Sequence, residues 1–369
     1  MSAAVDDSLL DDLDRIAEVD VDGLLHAAAL AGAQVRATVE GAREAGLERY
    51  AESTPRALVL ITRPGLSPCV SKLLWALLGK ACPVPVVLTD TAPPWLGPLD
   101  LVLAHTDDPG DHELAESVDR ASRYGAGVVL TAPEDGPVAA AAAGRAVLIP
   151  PRVPVPPGFG FTRALAGGLV AASTLNLLRT DLYQLADELD REAERDHMQH
   201  ETFVNPAKSL ALRLAERTPL LWGLDDVATG VAWFAAQVIG THTDLVCDVA
   251  AYPQAASRTA LHRAATHASA NTDIFADPDD LDPAQVSPLR VFLLAVSAAA
   301  VDPVRRLAVD TFPAADLLAP AEELTADEPA CAAVLALRFQ LAALYLGLAS
   351  GTTGGSTSYY APARPREHP

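Results

Sequence analysis

Residues 57–104 read ALVLITRPGLSPCVSKLLWALLGKACPVPVVLTDTAPPWLGPLDLVLA, and the fold turns on how this stretch is read. Three short apolar runs, 57–61, 84–88 and 99–104, are separated by turn residues. Between the first two lies 69–78, with the pattern of a helix. Further strand-like runs at 127–130 and 146–149, with a helical pattern at 112–124, continue the alternation. Strand–helix alternation of this kind implies right-handed βαβ units and a mainly parallel sheet.

Towards the N-terminus, 6–47 is predicted helical, with Leu10, Leu13 and Ile16, then Leu24, Leu25 and Ala28, at helical spacing, as a cap on the sheet. Towards the C-terminus, the proline-dense segment 150–157 ends the first unit. An apolar helix is expected over 165–178, and a charged bridging helix over 180–200 with Thr180 as its N-cap. The texture then repeats: helix 205–217, strand 220–223, helix 225–238 opened by Asp225 and Asp226, strand 245–249, helix 258–270 and strand 291–296. Residues 271–288 are expected as a surface insertion.

Composition narrows the function classes. The 369 residues are half apolar, enough for about two domains without disulfide or metal staples. Acids outnumber bases 48 to 27, a net charge of -21, which argues against nucleic acid as a partner because phosphate backbones need a basic face. Only Lys72, Lys80 and Lys208 are lysines. Cys69, Cys82, Cys247 and Cys331 are scattered, with no CxxC pair, and point to a reduced cytosolic compartment. Residues 1–14 lack the basic and apolar regions of a signal peptide, so a cytoplasmic location is expected. The apolar stretch 330–350 carries Arg338 and Gln340 at its middle and is read as a buried terminal helix, not a membrane span.

The segment Asn205-Pro206-Ala207-Lys208-Ser209-Leu210-Ala211-Leu212, followed by Thr218-Pro219-Leu220-Leu221-Trp222-Gly223, resembles the tandem sugar isomerase (SIS) domain proteins of the bifunctional phosphoglucose/phosphomannose isomerase type. Trp95 after Thr91-Ala92-Pro93-Pro94, and the closing stretch 344–351, are similar to that family in pattern. The expected fold class is therefore α/β: two tandem SIS-like (flavodoxin-like) parallel-sheet domains with flanking helices. The expected division is an N-terminal helical cap at 1–50, a first SIS-like domain at 51–178, a bridging helix at 179–204, a second SIS-like domain with a C-terminal helix at 205–350, and a disordered tail at 351–369. The resemblance implies a hexose-phosphate ligand between the two domains and a homodimer. No cofactor and no metal are expected.

Aldose–ketose isomerisation needs a base that shuttles a proton between C1 and C2, a group that opens the ring, and a phosphate clamp of hydroxyls and backbone N–H groups. Where the family has a hydroxyl-rich clamp, this chain reads His105-Thr106-Asp107-Asp108-Pro109-Gly110-Asp111-His112-Glu113, with Thr106 its one hydroxyl and four carboxylates. Like charges about 4 Å apart repel by roughly 1–4 kcal/mol in a partly exposed site, so a phosphate dianion is disfavoured there. In the first loop, Ser67 matches the family's serine and Arg63 could supply charge, but Pro64 and Pro68 offer no N–H. For the family's substrate arginine, Arg152 or Arg163 are the candidates.

The family's catalytic glutamate has no counterpart, since no acid occurs over 227–243; His242 or Asp244 are the candidates to replace it. Its ring-opening histidine is replaced by Pro253-Gln254-Ala255-Ala256-Ser257-Arg258, and His262 and His267 lie beyond without a ligand set for a metal. Its C-terminal lysine is also missing; Arg364 and Arg366 carry the remaining charge. The expectation is a sugar-phosphate-binding SIS protein with a degenerate active site. The alternative is an active glucose-6-phosphate/mannose-6-phosphate isomerase with a rebuilt site: His242 or Asp244 as base, with Arg63, Ser67, Thr106 and Arg163 around the substrate. A third is a partner of another sugar-phosphate enzyme.

Overall fold

The computed structural model describes residues 5–79, 82–270, 288–297 and 303–353. Helices α1 (Leu13–Val19), α2 (Leu24–Ala29) and α3 (Ala31–Glu44) open the chain where one helical stretch was expected. The break lies at Asp20, whose carboxylate accepts from Leu24 N (2.7 Å) and Leu25 N (3.1 Å), and at Gly23, left-handed at φ +63°. A residue with a Cβ would be strained there.

The first sheet is built from β1 (Ala57–Ile61), α4 (Ser67–Leu78), β2 (Val86–Thr89), β3 (Asp100–His105), α5 (His112–Arg123), β4 (Gly127–Thr131), α6 (Gly136–Ala142) and β5 (Val147–Ile149). Its five strands are parallel in the order β2-β1-β3-β4-β5, with Leu58 opposite both Val86 and Leu101. β1 and β3 are buried at every position, as parallel strands covered on both faces must be. Chain order reverses between β1 and β3, which makes the space beyond their C-terminal ends the natural ligand crevice.

Three helices follow: α7 (Phe161–Thr174), α8 (Leu182–Arg195) and α9 (Pro206–Leu214). The N-cap of α8 is Asp181, not Thr180: the Asp181 carboxylate accepts from Tyr183 N (3.0 Å) and Gln184 N (3.1 Å), the two donors a cap must reach. The second sheet comprises β6 (Thr218–Gly223), α10 (Asp226–His242), β7 (Asp248–Ala251), α11 (Tyr252–Ser257), α12 (Thr259–Ala270), β8 (Leu289–Leu294), α13 (Pro303–Thr311) and β9 (Asp316–Leu318). It is parallel in the order β7-β6-β8-β9. The element α13–β9 was not anticipated, and β7 starts three residues later than the sequence suggested.

Helix α14 (Glu328–Ala349) closes the fold. It is long and apolar enough to span a membrane by composition, yet it lies wholly inside the protein. Arg338 at its middle is 4% exposed and donates to Glu192 Oε1 (2.6 Å) and to both oxygens of Glu323 (3.0 and 2.7 Å). One hydrophobic cluster runs from Leu58 and Leu60 of the first sheet, through α7, α10 and α14, to Leu221 and Phe292 of the second. Smaller clusters cover the outer face of each sheet. Residues 271–287 of the predicted surface insertion, and all of the predicted tail beyond residue 353, lie outside the described residues.

Candidate functional site

A cleft of about 290 Å³ lies where the topology places it, beyond the ends of β1 and β3. The first sheet contributes Ser67, His105, Thr106, Asp107 and Asp108 to its walls, and Phe159 comes from the loop before α7. The opposite wall is the last turn of α10, with Gln237, Thr241 and His242. α10 runs four residues past its expected end, continuing through Gly240. The Thr241 and Thr243 hydroxyls donate to the carbonyls of Gln237 (2.7 Å) and Ile239 (2.8 Å). His242 is therefore helical and is brought to the cleft, whereas Asp244, beyond the helix end, is exposed and takes no part in its walls.

His242 is 6% exposed, and burial lowers its pKa to about 4, so its imidazole is neutral at physiological pH. Its ring lies 5.9 Å from Phe159, and Nδ1 is 3.4 Å from Thr353 Oγ1. Thr352 and Thr353 hydroxyls donate to the His242 carbonyl (2.7 and 2.8 Å), so the first residues of the expected disordered tail are instead a packed buttress.

Across the cleft, His105 ends β3. Its Nδ1 is 2.9 Å from Thr131 Oγ1, and its buried Nε2 has no hydrogen-bond partner, standing 3.8 Å from Asp107. Asp107 also pairs with Arg163. Burial would raise the Asp107 pKa, but His105 and Arg163 outweigh it and hold the carboxylate below its usual range. Asp108 accepts from Gly110 N (2.8 Å), and the Thr106 hydroxyl closes the same turn on Asp108. Ser67 is buried, its hydroxyl directed at Ile61 O (3.4 Å).

Arg63 does not reach a ligand position. Its Nε donates to Asp111 (2.8 Å) and its Nη1 pairs with Glu113 (2.6 Å), while the other Asp111 oxygen accepts from Leu114 N (2.9 Å) at the start of α5. A cation and a helix N-terminus are the parts of an anion site, and here the chain's own carboxylate fills it. In the second sheet a carboxylate again sits at a helix N-terminus, there held by backbone N–H groups: Asp225 caps α10 through Ala228 N (2.7 Å) and accepts from Val296 N (2.8 Å) and Ser297 N (3.2 Å) across its own switch point.

The segment on which the resemblance rests is structural. Asn205 caps α9 through Lys208 N (2.9 Å), and the Lys208 ammonium, 1% exposed, donates to the carbonyls of Met198 and His200 (2.7 Å each). Asp196 accepts from Ala207 N (2.9 Å) beside it. His262 lies against Trp222 (6.1 Å) and Phe312 (5.0 Å) in an aromatic cluster remote from the cleft. Arg152 bonds Glu44 (3.2 Å) at the mouth of a neighbouring cavity, which Arg163 also lines. Arg364 and Arg366 fall outside the described residues. Among the described residues no group of three or more His, Cys, Asp or Glu side chains is placed to hold a metal ion.

The structure thus brings Ser67, Thr106 and His242 together, ties up Arg63, puts Arg163 next door and leaves Asp244 out. The sequence reading passed over His105 and the two aspartates as ligand contacts, although residues directly after a central parallel strand are where contacts fall.

No protein-family profile matches the sequence, and no curated protein matches it. Solved structures match its fold. The C-terminal domain of glucosamine-fructose-6-phosphate aminotransferase from Francisella tularensis is 10% identical with a TM-score of 0.58, over 91% of this chain and 96% of that one. Tagatose-6-phosphate ketose/aldose isomerase from Escherichia coli is 13% identical with a TM-score of 0.55, over 90% and 93%. A hypothetical protein from Thermus thermophilus is 15% identical with a TM-score of 0.57, over 94% of each chain. The chain shares the α/β fold of these structures, parallel sheets flanked by helices.

Proposed function

We propose that this chain is a cytoplasmic sugar-derivative-binding protein of the SIS fold, related to the bifunctional phosphoglucose/phosphomannose isomerases, that holds its ligand without isomerising it. One observation carries this reading: among the described residues, the cleft has no arginine or lysine in its walls, and both of its carboxylates are engaged, Asp107 by Arg163 and Asp108 by Gly110 N. A proton shuttle between C1 and C2 needs a base of matched pKa and a cation to meet the enediolate charge. His242, held neutral down to about pH 4, is a weak base for that step. Hydroxyls, imidazoles and the Phe159 face suit a sugar ring.

A second reading, an active isomerase with a rebuilt site, is favoured by one fact: two imidazoles, His105 and His242, line the same cleft. The test is a coupled assay with fructose 6-phosphate and mannose 6-phosphate, beside thermal melts with the same sugars. The expected outcome is no turnover with a raised melting temperature; ligand at 100 times its Kd adds about 2.7 kcal/mol. Turnover that vanishes in His242→Ala would overturn the proposal and establish the isomerase.

A further inference from the structure

The charged parts of the cleft are all negative. Asp107 and Asp108 stand in its walls, and among the described residues no arginine or lysine does. Asp107 is met from behind by Arg163, which lines the neighbouring cavity. Asp108 has no such partner. One of its oxygens accepts from Gly110 N (2.8 Å), the other accepts no hydrogen bond among the described residues, and the side chain is exposed. The opposite wall is the last turn of α10, a helix of 17 residues, and a helix C-terminus carries the negative end of its dipole. The chain as a whole adds a net charge of -21, which draws cations towards such a cleft and keeps dianions away.

The two helices that begin at the switch point offer a phosphate little. At the start of α4, Pro68 has no N–H, and the N–H groups of Cys69 and Val70 both go to Leu66 O (3.0 and 3.1 Å). At the start of α5, Asp111 occupies the anion position and holds Arg63 there. What remains open in the walls is neutral or negative: the Gln237 amide on α10, the imidazoles of His105 and His242, and the Asp108 carboxylate.

We infer that the cleft takes a sugar without a phosphate and prefers one that carries a protonated amine, with Asp108 receiving the ammonium. The inference rests on the cleft being a sugar site, and it departs from the phosphorylated ligand that the resemblance implies. An ammonium gives the second Asp108 oxygen a charge-assisted donor. A sugar phosphate enters by its ring alone, with its phosphate facing the same carboxylate, so it binds more weakly than its parent sugar. Because Asp108 is exposed, each effect is of the size of a surface ion pair, roughly threefold in affinity.

Calorimetric titration of the full chain at pH 6.5 with glucose, glucosamine and glucose 6-phosphate tests it. Glucosamine should bind about threefold tighter than glucose, and glucose about threefold tighter than glucose 6-phosphate. Raising the salt from about 0.01 M to 1 M shortens the screening length from about 30 Å to 3 Å and should bring all three affinities together. Asp108→Asn keeps an oxygen for Gly110 N at an exposed position, and should reduce the ratio of glucosamine to glucose affinity to within twofold of unity. Glucose 6-phosphate binding as tightly as glucose or tighter, glucosamine gaining nothing over glucose, or an amine advantage that survives both salt and Asp108→Asn overturns the inference and leaves the cleft a sugar site. No binding of any of the three overturns the cleft as a sugar site and the inference with it.

Discussion

His242 carries the clearest residue-scale consequence. In the unfolded chain its imidazole titrates near 6.5, and in the fold burial pushes it down to about 4. Between these values the unfolded chain takes up a proton that the folded chain refuses, so stability falls as pH drops from about 6.5 to 4. The full difference is about 3 kcal/mol. Asp196 acts in the opposite sense: burial, then Glu192, raise its carboxyl to about 8, so it costs stability as pH rises from about 4 to 8. Comparing wild type with His242→Gln separates the two. Urea unfolding at pH 7 and pH 4.5 should show wild type losing about 2–3 kcal/mol more than the variant; equal losses would mean that His242 is not desolvated. None of this was legible in the sequence, because the burial of His242 depends on Phe159 and Thr353, residues 83 and 111 positions away. Lys208 teaches the complementary lesson: the residue that signals kinship in the sequence proves to be a brace for the 198–200 backbone, and a motif does not disclose whether it is shared for chemistry or for structure.

At the scale of elements, the alternation of apolar runs and helical patterns was sufficient to place β1, β3 and β4, since buried parallel strands are short, apolar and bounded by turns. Ends were less legible than existence. α10 outran its expected stop through two threonine back-bonds, and α8 took its cap one residue later than Thr180. The sequence shows the start of α5 as a turn crowded with acids, but only the structure reveals that Asp111 joins the helix N-terminus to Arg63. The Arg63 guanidinium is raised above its ordinary value chiefly by the hydrogen bond it donates to Asp111. Asp111→Ala removes the cap and one of two partners of a largely buried guanidinium, and should cost about 1–2 kcal/mol in urea unfolding. Asp111→Asn keeps the cap oxygen and should cost less than half of that. If both variants lose the same amount, the ion pair and not the cap holds the turn.

For the whole molecule, the question is whether two parallel sheets, of five and four strands, unfold as two units or as one. The hydrophobic cluster that joins them argues for one. It contains strand residues from both sheets, and α14 passes between α8, α9 and α10 with both of its ends and its middle buried. Arg338 fixes that helix at its centre through Glu192 of α8 and Glu323. Removing the arginine side chain leaves the wholly buried Glu192 with Arg195 as its remaining charged partner, so the cost is at most the roughly 3–5 kcal/mol of breaking a buried ion pair. If the helix couples the sheets, Arg338→Ala should lower the opening free energy of β1 and β3 by as much as that of β6 and β8, although the hydrogen bonds of the mutated side chain go to Glu192 and Glu323, outside the strands. Native-state hydrogen exchange read by peptide mass analysis reports both pairs in one experiment. Exposure of Trp222, the one fully buried tryptophan beside three that are more than two-fifths exposed, gives an optical check for the second sheet. Equal losses in both pairs, and a Trp222 transition coincident with far-UV signal, are expected. Loss confined to β6 and β8 would instead mean that α14 belongs to the second sheet alone. The cleft would then lie between two independently stable bodies, free to open at the α10 wall.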